Sequence, residues 1–431
     1  MVWSGLMIYW ANGVYKPFFP DWFYDALHLK YSLALGMGIH FMLMWFFAIN
    51  GLVYLTYLAV SGEWRELAPD RRTLSDALLV TLHDLRLIKT PPAQGKFNAA
   101  QKLAYGGVTV MSIFLILTGL AIYKPVQLHV LTSLFGGYEF ARFLHFILML
   151  AVVCFFFVHV LQVAKTGFGN FSSMIAGFEV NSANYRRAWF SFSVGLTFAV
   201  FIIGISSWVA KRPEVDGIQS PLRRSLNLNG KIWASFLKPE RTAPLPDAPP
   251  VGKKPRLNGE LGLHSKLNLN DWELVLVPYL RSVEDDPTES RSIKMADIMK
   301  LPATTSTALF KCIEGWSEDI SYTGVKFTDF MSFYNVGRKS DGSLYKYVAL
   351  ETPDAEYYVS IDMKSMMQSQ VMLAYEMNGA PLSMENGAPL RLIIPNKYGI
   401  KNLKRIGRIY FSDNRPPDYW EEEGYDWFAG L

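Results

Sequence analysis

Four stretches without a single charged side chain limit what this chain can fold into. Counting His as neutral, 32 uncharged residues lie between Lys30 and Glu63, 21 between Lys102 and Lys124, 22 between Arg142 and Lys165, and 23 between Arg187 and Lys211. Each exceeds the roughly 20 apolar residues that carry a helix across a bilayer. A buried helix of a soluble core rarely runs so long without one charge, so these four are read as membrane spans. Met1–Tyr15 is a fifth uncharged stretch, too short to span and without the basic start of a signal peptide. It reads as the second half of a membrane helix, from an incomplete chain or a misplaced start codon.

Composition agrees. Of 431 residues, 50% are hydrophobic, 15% aromatic and 19% charged, against about 25% charged in ordinary soluble domains. A net charge of +4, with no basic run interleaved with aromatics, argues against nucleic acid as a partner. Two cysteines, Cys154 and Cys312, cannot make a disulfide framework, a Cys-x-x-Cys redox pair or an iron–sulfur cluster.

Lys and Arg crowd the inner side of membrane proteins. Seven lie in 61–102 and three in Lys165–Arg187, against two each in Met1–Tyr31 and Lys124–Arg142. Residues 61–102 and 165–187 are therefore placed inside, and the last span runs outward. Residues 1–210 then form the membrane domain. Residues 211–255 carry Pro213, Pro221, Pro239, Pro244, Pro246, Pro249, Pro250 and Pro255, a density that predicts extended linker rather than helix. Residues 256–431 contain short strand-like pieces such as Trp272–Val277, Tyr347–Leu350 and Tyr357–Ile361, and predict a strand-rich α+β domain outside the membrane.

Three of the seven histidines, His40, His145 and His159, fall inside spans, where a polar group is costly and usually functional or internally paired. His145 and His159 are 14 residues apart, about 40° short of four full turns and about 21 Å along the axis. One helix face thus presents two imidazoles near opposite membrane surfaces, an arrangement suited to two stacked haems. His40 and His145 sit at comparable outer depth and can share a haem or simply hydrogen-bond between helices. His28, His83, His129 and His264 read as solvated. Cys154 reads as a small apolar residue. Cys312, on an exported domain without a disulfide partner, is either buried or a metal-bound thiolate.

Two resemblances carry these readings further. Phe97-Asn98-Ala99-Ala100-Gln101-Lys102, then Ala141-Arg142-Phe143-Leu144-His145 with His159 beyond, resembles the di-haem cytochrome b subunit of membrane formate dehydrogenases and nickel–iron hydrogenases, over about residues 1–180. The resemblance implies one haem b between His40 and His145, and a second between His159 and a histidine ahead of Ser4-Gly5. That position precedes Met1, so one haem is expected, or two if the missing ligand exists. It also implies a quinone near Asn98.

The run Cys312-Ile313-Glu314-Gly315-Trp316-Ser317, followed by Tyr347–Thr352, Asn386–Arg391 and Pro395–Lys404, resembles the sulfite oxidase-fold molybdopterin oxidoreductases, most closely the periplasmic methionine sulfoxide reductase branch. This implies that Cys312 gives its thiolate to molybdenum. Thr352, Asn386, Arg391, Asn402 and Lys404 would hold the molybdopterin; Arg and Lys suit its phosphate. Sulfite-oxidising members follow the Cys with basic residues; here Glu314, Gly315 and Trp316 favour a neutral sulfoxide. Arg186-Arg187 ahead of the last span resembles a twin-arginine export signal, as a domain folded around its cofactor would need.

The fold class expected is a polytopic α-helical bundle fused to an α+β molybdopterin domain. The function expected is transfer of electrons from quinol through haem b to molybdenum and a sulfoxide. The alternative reverses the flow, a sulfite-type dehydrogenase reducing quinone. A third reading keeps the haem relay and makes the outer domain a metal-free docking module.

Overall fold

A computed structural model describes residues 1–13, 18–90, 92, 95–166, 173, 183–211, 216–238, 241–249, 252–257, 259–280 and 289–431. Most of the expected inner segment after Lys165 therefore lies outside the described residues. Among the described residues, four helices are long and apolar enough to cross a membrane. With the short first helix they are α1 (Val2–Trp10), α2 (Leu33–Ser61), α3 (Ala99–Tyr123), α4 (Tyr138–Thr166) and α5 (Tyr185–Ala210). Each charge-free run has become one unbroken helix, as hydrocarbon requires when every backbone amide must be satisfied internally. Their outer faces carry bare Phe46, Leu52, Phe157, Leu161, Phe198 and Ile203, side chains that suit lipid.

The chain divides into two compact units. One comprises Met1–Val2, Met42–Tyr123 and Val130–Glu214; the other comprises Trp3–Phe41, Lys124–His129 and Val215–Leu431. In the first unit α3 packs along α4, with Ala121, Phe135 and Ala141 forming a small buried cluster. Asn98 starts α3 as a reciprocal cap. Its Oδ1 accepts from the Gln101 amide at 2.8 Å, and its own amide donates to Gln101 Oε1 at 3.0 Å, satisfying two donors that the first turn would otherwise leave open.

The second unit holds the α+β domain. One sheet runs β2-β1-β10-β5-β6, from Arg291–Lys294, Glu273–Val277, Arg408–Ser412, Tyr347–Glu351 and Tyr358–Asp362. The other runs β3-β4-β7-β8, from Ala303–Lys311, Ser317–Lys326, Met372–Met377 and Ala380–Pro381, with β9 (Arg391–Ile393) pairing β7. The main core joins Leu274, Leu276, Val348, Leu350, Ile409 and Phe411 of the first sheet to Val325, Leu373 and Leu392 of the second. A second cluster contains Phe310, Cys312, Trp316, Ile320, Tyr322, Ala374 and Ile393. The period-two alternation of strand side chains supplies both layers.

The expected linker is corrected in part. Asp216–Phe236 is a helix, α6, with Pro221 inside it. The other prolines lie outside that helix, so their density never acts on its middle. Leu222 and Leu226 are buried, Leu222 lies against Gly38, and Arg223 donates to the Glu422 carbonyl. Beyond α6 the described residues 241–249 belong to no helix or strand and are fastened to the domain. Ala243 exchanges two 2.8 Å hydrogen bonds with the Gln370 side chain, and the Lys253 carbonyl accepts from Asn378 Nδ2 at 2.8 Å.

Candidate functional site

Cys312 sits in the turn joining β3 to β4. Its amide donates to the Trp316 carbonyl at 2.9 Å, and the Gly315 amide donates to the Cys312 carbonyl at 3.0 Å. Gly315 has φ +99°, a conformation glycine adopts without steric cost. The five-residue turn therefore holds the sulfur-bearing residue on rigid β structure. Cys312 is 4% exposed, in the second cluster and outside any disulfide. On the rim the Trp316 indole donates to Glu314 at 3.0 Å, and the Arg256 guanidinium lies 4.8 Å from the Trp316 ring. An open hollow of about 410 Å³ is lined there by Lys253, Arg256, Trp316, Ser317, Glu318 and Asp319.

Arg391, Asn386 and Lys404 come together beside this turn. Arg391 opens β9 and is 3% exposed. Its Nη1 donates to the Asn386 carbonyl at 3.1 Å, its Nε is buried without a partner among the described residues, and it lies 5.7 Å from the Tyr322 ring. It takes part in no ion pair among the described residues. Gly387 lets the two loops touch: a Cβ there would stand 2.7 Å from Lys404 Cβ, at φ +95°. Lys404 Nζ donates to the Gly259 carbonyl at 3.0 Å. Burial, then the like charge of Arg391, pushes the Lys404 ammonium down to about 8, with Cys312 acting in the opposite direction. Burial also lowers Arg391 and lifts the Tyr322 hydroxyl to about 12.

Thr352 and Asn402 are placed differently from the other three. The Thr352 hydroxyl donates to Asp354 at 2.6 Å and accepts from the Tyr357 amide at 3.1 Å. Asn402 Oδ1 accepts from the Ile394 amide at 2.8 Å, while its Nδ2 donates to the Tyr398 carbonyl at 3.1 Å. Both side chains hold turns together. Two residues were missed by sequence reasoning. Tyr322 has a buried hydroxyl with no partner among the described residues. Tyr357 is coupled electrostatically to Cys312. Both sit in or beside strands, where an aromatic ordinarily signals core.

These residues fit a molybdopterin. Two buried cations, one with an orphaned Nε, and an unpaired phenol lie beside a thiolate-forming side chain, which is the chemistry of an anion site next to a soft-metal ligand.

In the membrane part, His145 and His159 share α4, as expected. His145 Nδ1 is 2.9 Å from the Thr118 hydroxyl, and a Cβ on Gly119 would stand 3.3 Å from His145 Cε1. His40, in the other unit, has Nδ1 3.2 Å from Ser4 Oγ, and a Cβ on Gly5 would stand 3.5 Å from its Cε1. His159 stacks on Phe155 at 5.8 Å and meets Tyr105 edge-on at 6.2 Å. Imidazoles held through Nδ1, beside glycines that leave their rings uncrowded, fit axial ligation of a haem. Cys154 is exposed on α4.

Comparison with known proteins agrees with this geometry. The family described as prokaryotic cytochrome b561 matches residues 1–177, and the oxidoreductase molybdopterin binding domain matches residues 266–420. Subunit YedZ1 of Azospira oryzae is 39% identical over 167 residues, 38% of this chain and 80% of that protein. A second YedZ1 subunit of that organism is 36% identical over 134 residues, 31% of this chain and 49% of that protein. The protein-methionine-sulfoxide reductase catalytic subunit MsrP of Xanthomonas campestris pv. campestris is 30% identical over 164 residues, 35% of this chain and 49% of that protein. The chain thus spans about half the length of two of these three relatives. The chain belongs to the prokaryotic cytochrome b561 family through its N-terminal part, and its C-terminal part matches the oxidoreductase molybdopterin binding domain.

Proposed function

We propose that this chain is a membrane-bound reductase that carries electrons from quinol through haem b to a molybdenum centre reducing a sulfoxide such as methionine sulfoxide. The observation that carries it is the rigid Cys312 turn beside the buried Arg391–Lys404 pair, in one chain with helices that bear His40, His145 and His159. The reduction consumes two electrons and two protons, converting the sulfoxide to sulfide and water. Molybdenum, when bound, supplies the oxygen-atom transfer, and haem b the one-electron relay. Cys312 would hold the metal. Arg391 and Lys404 would hold the pterin phosphate, with Asn386 beside them, while Thr352 and Asn402 shape the surrounding turns. The pairing of His40 with His145 rests on their comparable depth in the sequence.

Substrate choice follows from the rim. Arg256 and Lys253 bring positive charge to the Trp316 loop, the one observation that favours an anion such as sulfite and hence the reversed, quinone-reducing reading. Glu314, Glu318 and Asp319 outnumber them there. Glu318 also accepts from the Arg256 amide at 2.8 Å and pairs with Lys253 at 3.0 Å. A neutral sulfoxide is the better match.

Orientation follows from the charge count, which puts Lys124–His129 outside. In the same unit, Lys124 Nζ donates to the Gly430 carbonyl at 2.7 Å and Arg241 donates to the Gln127 carbonyl at 2.7 Å, which supports a periplasmic or extracellular C-terminal domain. Arg186-Arg187 would then serve twin-arginine export, and Asn98, on the inner side, would adjoin the quinone. The test is the visible spectrum of the reduced protein before and after methionine sulfoxide. Reoxidation of the haem band, absent in Cys312→Ser, is expected. A band that stays reduced in the wild type, with sulfite reducing the oxidised protein, would reverse the reading.

A further inference from the structure

Two membrane histidines are met by the same pair of residues. Ser4-Gly5 faces His40 and Thr118-Gly119 faces His145. In each pair the hydroxyl reaches Nδ1, at 3.2 and 2.9 Å, and the glycine lies under Cε1, where a Cβ would come to 3.5 and 3.3 Å. The pairs stand on different helices, α1 and α3, far apart in sequence. His159 has no such pair: its neighbours among the described residues are the rings of Phe155 and Tyr105.

At His145 the surrounding bonds also assign the proton. The Thr118 hydroxyl carries one hydrogen, which it donates to the Phe114 carbonyl at 2.7 Å. Toward His145 that oxygen is therefore an acceptor, so Nδ1 carries the imidazole hydrogen and Nε2 keeps its lone pair. A metal-bound imidazole needs this state, and an acceptor on the far N–H makes the ring a stronger donor to the metal.

We infer that Thr118-Gly119 and Ser4-Gly5 are positioning pairs for the haem ligands His145 and His40, the hydroxyl bonding Nδ1 in each, with Thr118 setting tautomer and donor strength and Gly119 setting ring orientation at His145. This rests on the haem reading above and adds to it a role for four residues that touch no iron. Stronger donation stabilises the ferric state and lowers the midpoint potential. Loss of the hydroxyl therefore raises it.

The test uses the full-length protein and a redox titration of its haem, with the electron paramagnetic resonance spectrum of the oxidised form. Thr118→Val keeps shape and removes the hydroxyl, leaving the Leu115 backbone as the ring's other hydrogen-bond partner; the expected result is retained haem, a midpoint potential raised beyond the spread of replicate titrations, and a shifted low-field resonance. Thr118→Ser should restore both values. Ser4→Ala should shift the potential in the same direction. Unchanged potential and resonance in a haem-loaded Thr118→Val protein would overturn the inference. Should that variant not fold, Gly119→Ala decides: its Cβ must displace the His145 ring, and an unshifted resonance would overturn the inference equally. His145→Ala tests the underlying haem reading separately, because full haem retention there would remove the ligand itself rather than its positioning.

Discussion

Lys404 should cost the cofactor-free protein stability, and removing it should make that protein stronger. The gap between about 8 and the usual 10.5, at about 1.4 kcal/mol per pH unit, makes the buried ammonium unfavourable by about 3 kcal/mol. The sign follows from the depressed value. The penalty is full below pH 8, shrinks as pH rises from 8 to 10.5, and is gone above that, where Lys404 is neutral folded and unfolded alike. Lys404→Met keeps the stem but loses the bond to the Gly259 carbonyl, worth about 1 kcal/mol. The net gain at pH 7 is about 2 kcal/mol, or about 4–8 °C for a domain of this size. It should fall with rising pH and turn into a loss of about 1 kcal/mol near pH 10.5. The assay is thermal unfolding of the full chain, produced in cells that cannot make the cofactor, at pH values from 7 to 10.5. A variant that is less stable at pH 7, by an amount independent of pH, would show that Lys404 is a structural ammonium and not one held ready for an anion.

The other sites give sharper, smaller tests. Cys312→Ser should leave the fold and the haem spectrum intact while molybdenum, measured by elemental analysis, falls from near one per chain to a trace. Gly387→Ala must accept φ +95° and a Cβ 2.7 Å from Lys404 Cβ and 2.8 Å from the Arg405 amide, so unfolding should show a loss of about 2–4 kcal/mol together with poor molybdenum retention. Asn98→Ala should weaken the start of α3 by about 1 kcal/mol, whereas Asn98→Ser keeps a cap. Slower haem reduction by quinol in the Ser variant, measured by stopped flow, is the expected sign of a quinone contact; an unchanged rate would leave Asn98 a cap alone.

The membrane half was legible because its signal is local. A charge-free run of bilayer length has one stable outcome, and a spacing of 14 residues puts His145 and His159 on one side of a helix whatever surrounds it. The soluble half depended on pairs distant in the chain. Lys397, Lys401, Lys404 and Arg405 look alike as a basic run, yet Lys401 pairs with Asp418, Lys397 lies 3.5 Å from Asp362, and Arg405 donates to the Leu263 and Ser265 carbonyls at 3.1 and 3.0 Å. Only contacts of that range tell these four apart, Lys404 donating to the Gly259 carbonyl, and contacts of the same kind hold the Thr352 and Asn402 side chains in turns. The helix Asp216–Phe236 was missed for the opposite reason: proline was counted over a window wider than the element it was meant to exclude.

The arrangement of buried charge explains why the candidate site can be both stable and demanding. Lys401 and Asp418 are each 1% exposed and joined, so that pair is neutralised within the fold. Lys397 is held by the Phe428 carbonyl at 2.8 Å, over the Phe428 ring. Arg391, by contrast, meets a carbonyl and two phenols, groups that solvate a cation without cancelling it. A buried positive charge left uncancelled beside Cys312 is unfavourable in isolation. An anion beside it would turn that cost into binding free energy. Phosphate and thiolate together would supply that charge, which makes cofactor insertion and completion of the domain's electrostatics one event.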